Sequence, residues 1–226
     1  MVDRYTISAQ SDALALVLGV EISEHYQAEY NAAPTKSLPV IIDADDQRLS
    51  FFNWGLMTLW TKNKSMSSKF YNKPLQSLVQ SGSSAKDKYS RRCIIPMDGF
   101  YVWKTISKKQ KIPFYFFFPD RRIFCVAGLW EESDGACSFL LVTRDADETV
   151  LPYQNDMPLI LDLAGKKNWL ENKDLNKLVE SNSSRKNHPL TKHPVSPKII
   201  NIDLNYREMI EATNAADQNG NYTLFS

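Results

Sequence analysis

Residues 91–104 read RRCIIPMDGFYVWK, and three further runs follow closely: PFYFFFP (113–119), FCVAGLWE (124–131) and SFLLVTR (138–144). All are rich in β-branched and aromatic residues. Turn-forming segments divide them: SKKQK, PDRR and ESDGA. Short strands at this spacing predict antiparallel pairing in a closed or strongly curved sheet. DMPLILD (156–162) adds a further strand, and LPVIID (38–43) with RLSFFNWGL (48–56) predicts a hairpin. Helices are expected over SDALALVLG, EISEHYQAEY, the SLVQ stretch, GKKNWLE and DLNKLVE, with a late strand at VSPKIINI (195–202) and a terminal helix at NYREMIEATNA. The expected fold class is α+β: one domain over residues 1–226, with a curved, mostly antiparallel β core flanked by short helices.

Composition sets outer limits. The chain has 226 residues, 43 % hydrophobic and 12 % aromatic, enough to bury a core in one domain. Only eight glycines occur, and neither G-x-G-x-x-G nor G-x-x-x-x-G-K-[ST] is present. No apolar run approaches the roughly 18 residues of a membrane span, and MVDRYTISAQSD lacks the pattern of a secretory signal. Cys93, Cys125 and Cys137 form neither a disulfide framework nor a zinc spacing, and read as small core residues of a reducing cytoplasm. No cofactor, metal or membrane partner is expected. His25, His188 and His193 make no metal motif and receive no role.

The net charge of +1 conceals a pattern. Residues 60–125 carry fourteen basic groups against Asp87, Asp98 and Asp120. Residues 1–59 carry three basic and eight acidic groups, and residues 126–180 five and eleven. A basic third in a near-neutral chain is either a polyanion-binding face or a solvated surface.

Four strings, in this order, carry a resemblance: MVDRY at the N-terminus, YNAAPT (30–35) with WGLMTLW (54–60), RRCIIPMDGFYVWK, and NDMPLIL (155–161). AGLWE and LVTRDA fit between them. Over roughly residues 1–205 the chain resembles the SOS response-associated peptidase (SRAP) family. The resemblance implies recognition of abasic sites in single-stranded DNA. It implies a cysteine after the initiator Met, whose amine and thiol close a thiazolidine with the sugar aldehyde, assisted by an Asn, a Glu and a His.

Position by position, that chemistry is missing. The nucleophilic cysteine falls on Val2 and the adjacent Gly on Asp3; the Asn falls on Ser65, the Glu on Val102 and the His on Gln154. None of the four catalytic positions keeps its reacting group. Asp156 replaces an Arg. The frame persists, and the resemblance implies a nucleic-acid face from Arg4, Asn31, Pro34, Trp54, Arg91, Arg92, Trp103, Met157 and Pro158. Trp54 and Trp103 are read either as stacking platforms or as core, Asn31 to Pro34 as a site or a turn, and Arg91 with Arg92 as phosphate contacts or solvated charges. The reading is a degenerate, cytoplasmic member that binds single-stranded or abasic DNA (nucleoid-associated in a bacterium) without cross-linking. Two alternatives stay open: an imine route through the Val2 α-amine, and a protein-interaction module.

Overall fold

The structure is a computed structural model that describes residues 2–42, 49–55, 71–80, 91–171 and 189–222. The strand-rich segment folds as β6 (Arg92–Met97), β7 (Gly99–Ser107), β8 (Gln110–Phe117), β9 (Phe124–Ser133) and β10 (Ala136–Asp145), with β7–β8 and β9–β10 as hairpins and β6 paired to β9. Earlier come β1 (Tyr5–Ile7), α1 (Ser11–Leu18), β2 (Glu29–Ala32), β3 (Ser37–Val40), β4 (Ser50–Trp54), β5 (Asn72–Pro74) and α2 (Leu75–Gln80). Later come β11 (Asp156–Pro158), β12 (Ile160–Leu161), α3 (Leu163–Leu170) and β13 (Thr191–Pro194).

These strands form two sheets rather than a closed barrel. The first has the order β13-β8-β7-β1-β2; the second runs β12-β9-β10-β4-β3, with β5 and β11 on β10 and β6 on β9. Among the described residues every strand pairing is antiparallel except β10 with β4 and with β5. Alternation along β7 and β8 sorts side chains to opposite faces. Phe100, Val102, Phe114 and Phe116 join the core shared with the second sheet, whereas Tyr101, Tyr115 and Phe117 form a separate cluster with Val195, Ile199 and Met209. Residues 195–210 thus cover the outer face of the first sheet.

Several sequence expectations are corrected. EISEHYQAEY is not a helix: pairing with β1 claims residues 29–32 as a strand, and the Tyr26 hydroxyl donates to the carbonyls of Ile7 and Ala9 at 3.1 and 2.7 Å. Tertiary pairing overrides local helix propensity there. VSPKIINI is not a strand, because Pro197 lacks a donor and opens a 3-10 turn, Pro197–Ile200, capped by the Ser196 hydroxyl. NYREMIEATNA keeps one 3-10 turn, Arg207–Ile210, too short to propagate as a helix. DMPLILD breaks at Leu159, whose N–H bonds Val142 while its carbonyl accepts from Ala127, handing the chain from β10 to β9. RRCIIPMDGFYVWK splits at Asp98. The expected DLNKLVE helix and the end of the SLVQ stretch lie outside the described residues, as does His188.

That split at Asp98 fixes the N-terminus. One Asp98 carboxylate oxygen accepts from the Thr6 hydroxyl. The other accepts from the Ser8 N–H at 2.5 Å, the Ser8 hydroxyl at 2.8 Å and the Ala9 N–H at 3.0 Å. Gly99 follows because a Cβ there would strike the Tyr115 ring, whose hydroxyl lies 2.8 Å from Thr6 Oγ1. Asp98→Ala strands two N–H donors and a buried hydroxyl, and is expected to cost about 2–4 kcal/mol. A thermal melt checks it; an unchanged midpoint would contradict this account of β1.

Candidate functional site

The β1–β7 register pairs Tyr5 with Phe100 and Thr6 with Gly99, and the Tyr101 N–H donates to the Arg4 carbonyl at 3.0 Å. Continued outward, this register sets Asp3 across from Val102. Val2 and Val102 are both fully buried in the main core. The second sheet closes over them: Asn72, on β5, donates its side-chain amide to the Val2 carbonyl at 2.5 Å.

Around this junction polar groups are left unanswered. Among the described residues, Asp3 Oδ1, Arg4 Nε, the Tyr5 hydroxyl and Asn72 Oδ1 are buried without a hydrogen-bond partner. Buried polar atoms are normally paired, so four orphans, on Asp3, Arg4, Tyr5 and Asn72, stand out in an otherwise apolar core. Burial pushes the Asp3 carboxyl above its usual range, against the opposing pull of Arg4, the N-terminal amine and Lys111. Burial pushes the Tyr71 hydroxyl up to about 12; Asp3 and Asp156 add to that rise and Arg4 opposes it. Tyr71 therefore lies in the field of all three groups. Gln154, in the segment before β11, donates its amide to the Asp156 carbonyl at 2.6 Å.

Two of the four candidate catalytic positions, Val2 and Val102, are thus brought into one core; Gln154 lies in the segment before β11, and Ser65 lies outside the described residues. Gln154 carries no proton to give or take, and two valines offer only methyl groups.

The positions expected to face nucleic acid separate differently. Trp54 is wholly buried, stacks on Phe139 at 6.3 Å and donates its indole N–H to the Tyr71 carbonyl at 2.9 Å. It is core, with no face left for a base. Asn31 is also structural: its amide donates to the carbonyls of Ile199, Asn201 and Leu204, pinning the segment over the outer face. Pro34 is buried in the turn between β2 and β3. Arg92 is buried, its guanidinium 4.7 Å above the Trp169 ring and bonded to the Trp169 carbonyl, and desolvation lowers its pKa to about 10. Met157 and Pro158 are buried on β11. Arg91 remains at the surface, stacked on Trp130 and ion-paired with Glu132 at 3.4 Å. Trp103 is half-buried on the outer face, opposite Val102.

Asn72 and Tyr71 escaped the sequence reading. They follow a polar segment without apolar periodicity, and only pairing of Asn72 with Leu141 on β10 carries them to Val2. Among the described residues no three His, Cys, Asp or Glu side chains gather as a metal site, and no helix is long and apolar enough to cross a membrane.

The raised Asp3 carboxyl predicts a pH signature. Between 3.8 and its raised value the folded chain holds a proton that the unfolded chain has released, so stability falls as pH rises through that window. Asp3→Asn is expected to raise the melting temperature at pH 7. The gain shrinks as the pH falls and vanishes below 3.8. Melting curves of both proteins across pH check the sign; a destabilised variant at pH 7 would contradict it.

The chain matches known proteins over most of its length. The sequence profile of the SOS response associated peptidase (SRAP) family matches residues 1–202. An abasic site processing protein of Bacillus subtilis (strain 168), YoqW, is 31 % identical over 183 residues, covering 77 % of this chain and 82 % of the relative. The abasic site processing protein HMCES of Xenopus tropicalis is 26 % identical over 233 residues, covering 84 % and 68 %. A crystal structure of a protein from Bacteroides thetaiotaomicron superposes with a TM-score of 0.74 at 18 % identity, over 93 % of this chain and 99 % of that one, which shows a shared fold. The polar junction at Val2, Asp3 and Asn72 is therefore set in a known frame: the chain belongs to the SOS response associated peptidase (SRAP) family.

Proposed function

We propose that this chain is a family member that binds single-stranded DNA carrying abasic sites without forming a covalent bond to it. The observation carrying this reading is the pair Val2 and Val102. The resemblance assigns those positions a thiol nucleophile and a proton-handling carboxylate, and here both are aliphatic and fully buried. A thiazolidine needs a thiol to trap the imine, and neither valine supplies one. Gln154 donates to a backbone carbonyl rather than exchanging protons.

Retained binding is supported by the relatives, which are named for abasic site processing, and by the basic third of the chain. That third supplies Lys108 and Lys109 at the β7–β8 turn and Arg121 and Arg122 after β8. Asp3 and Asp156 oppose it locally. Backbone affinity grows with the number of phosphates neutralised, whereas two carboxylates act over about one Debye length. The surplus of eleven positive charges across residues 60–125 is the feature that favours binding against that pair.

A titration of single-stranded oligonucleotides, with and without one abasic site, tests the reading at two ionic strengths. Three phosphate contacts would lower affinity by about tenfold or more for a fourfold rise in salt. Salt-sensitive binding is expected. No binding at either salt would overturn the reading in favour of a protein-interaction module.

Val2→Cys restores only the thiol. On a denaturing gel it is expected to give no rapid covalent band with an abasic strand, because Val102 and Gln154 still handle no proton. Rapid capture by that single variant would contradict the reading.

A further inference from the structure

Five cations among the described residues have carboxylate partners: Lys36 with Glu29, Arg91 with Glu132, Arg122 with Asp120, Arg144 with Asp147 and Lys167 with Glu171. Lys104 and Lys192 differ. Among the described residues neither meets a carboxylate, and both converge on one aromatic ring. The Lys104 ammonium lies 5.2 Å from the centre of the Tyr153 ring and the Lys192 ammonium 5.4 Å from it.

The first sheet builds this arrangement. Lys104 lies opposite Ile112 on the β7–β8 pair, and Lys192 opposite Phe116 on the β13–β8 pair. Directly opposed residues share a face, so both lysines stand on the face that carries Phe114 and Phe116. Tyr153 sits edge-on against those two rings, at 4.8 and 5.3 Å. Its loop is held from both ends: the Asp147 carboxylate accepts from the Thr149 and Val150 N–H groups, and the Tyr153 N–H bonds the Val150 carbonyl at 2.8 Å. The ring is a fixed post, and cation–π attraction gathers the two ammonium groups around it without neutralising them. Val102 is two residues before Lys104 on the same face, opposite Phe114, and Gln154 follows Tyr153. The lysines therefore adjoin the candidate site.

We propose that Lys104 and Lys192, gathered on Tyr153, form a clamp for neighbouring phosphates of a single DNA strand that runs past the Val2–Val102 junction. This rests on the reading that the chain binds single-stranded DNA, and adds where the backbone is held. Two unpaired ammonium groups suit phosphodiesters as point charges, and such contacts position a strand without reading its sequence.

The test compares the wild-type chain, the double variant K104Q/K192Q, the double variant K104R/K192R and Lys167→Gln as a control, each titrated with a single-stranded oligonucleotide of mixed sequence across several salt concentrations. Loss of two phosphate contacts lowers the slope of log affinity against log salt by about 1.4. That loss is expected for the Gln pair at unchanged melting temperature, with the slope kept in the Arg pair and the control. Wild-type binding with the same affinity and slope in the Gln pair would overturn the clamp and leave the DNA-binding reading standing. An equal loss in the Arg pair would overturn it too, since packing rather than charge would then be responsible. Absence of wild-type binding would bring down the underlying reading, and the clamp with it.

Discussion

The Asp98 carboxylate gathers the Thr6 hydroxyl, both donors of Ser8 and the Ala9 N–H onto two oxygens. A three-residue strand such as β1 has too few ladder bonds to hold itself. Charge-assisted bonds from the tight corner before β7 supply what the ladder lacks. Because Asp98 and Gly99 start β7, the same corner sets the register that carries Asp3 across from Val102. Gly99 is required for close approach, since any side chain there would enter the Tyr115 ring. The Asn72 amide then completes the junction from the second sheet. The position of the N-terminus is therefore an output of DGFY, a string many residues away in sequence.

The residues at this junction have mixed physical consequences. Val2 and Val102 are apolar and fully buried, which suits positions with no solvent access. Asp3 does the opposite, placing a carboxylate where desolvation resists its charge and leaving one oxygen unpaired. A junction optimised only for stability would not keep four orphaned polar atoms.

Much of the β architecture was legible because its signals are local. RRCIIPMDGFYVWK, PFYFFFP, FCVAGLWE and SFLLVTR each became a strand or a pair of strands, and SDALALVLG became α1. Failures fell where partners decide the outcome. EISEHYQAEY has helix-forming residues yet ends in a strand on β1, and VSPKIINI has strand-forming residues yet turns at Pro197. Among the candidate site residues, burial was not legible. Trp54, Asn31 and Arg92 look the same in sequence whether they face a ligand or the core. Only the pairing of sheets shows the indole, amide and guanidinium spent on backbone carbonyls. Asn72 was silent for the same reason, its importance arising from a parallel pairing with β10 that local sequence does not encode.

The account stands on binding without bond formation, and intact-mass spectrometry of the denatured protein reads that directly. The chain is incubated with an excess of a single-stranded oligonucleotide bearing one abasic site, with and without borohydride, and weighed. The account predicts the mass of the unmodified chain in both samples. A species heavier by the oligonucleotide would contradict it: in both samples it would mean a stable cross-link, and only after borohydride an imine on an amine of the chain.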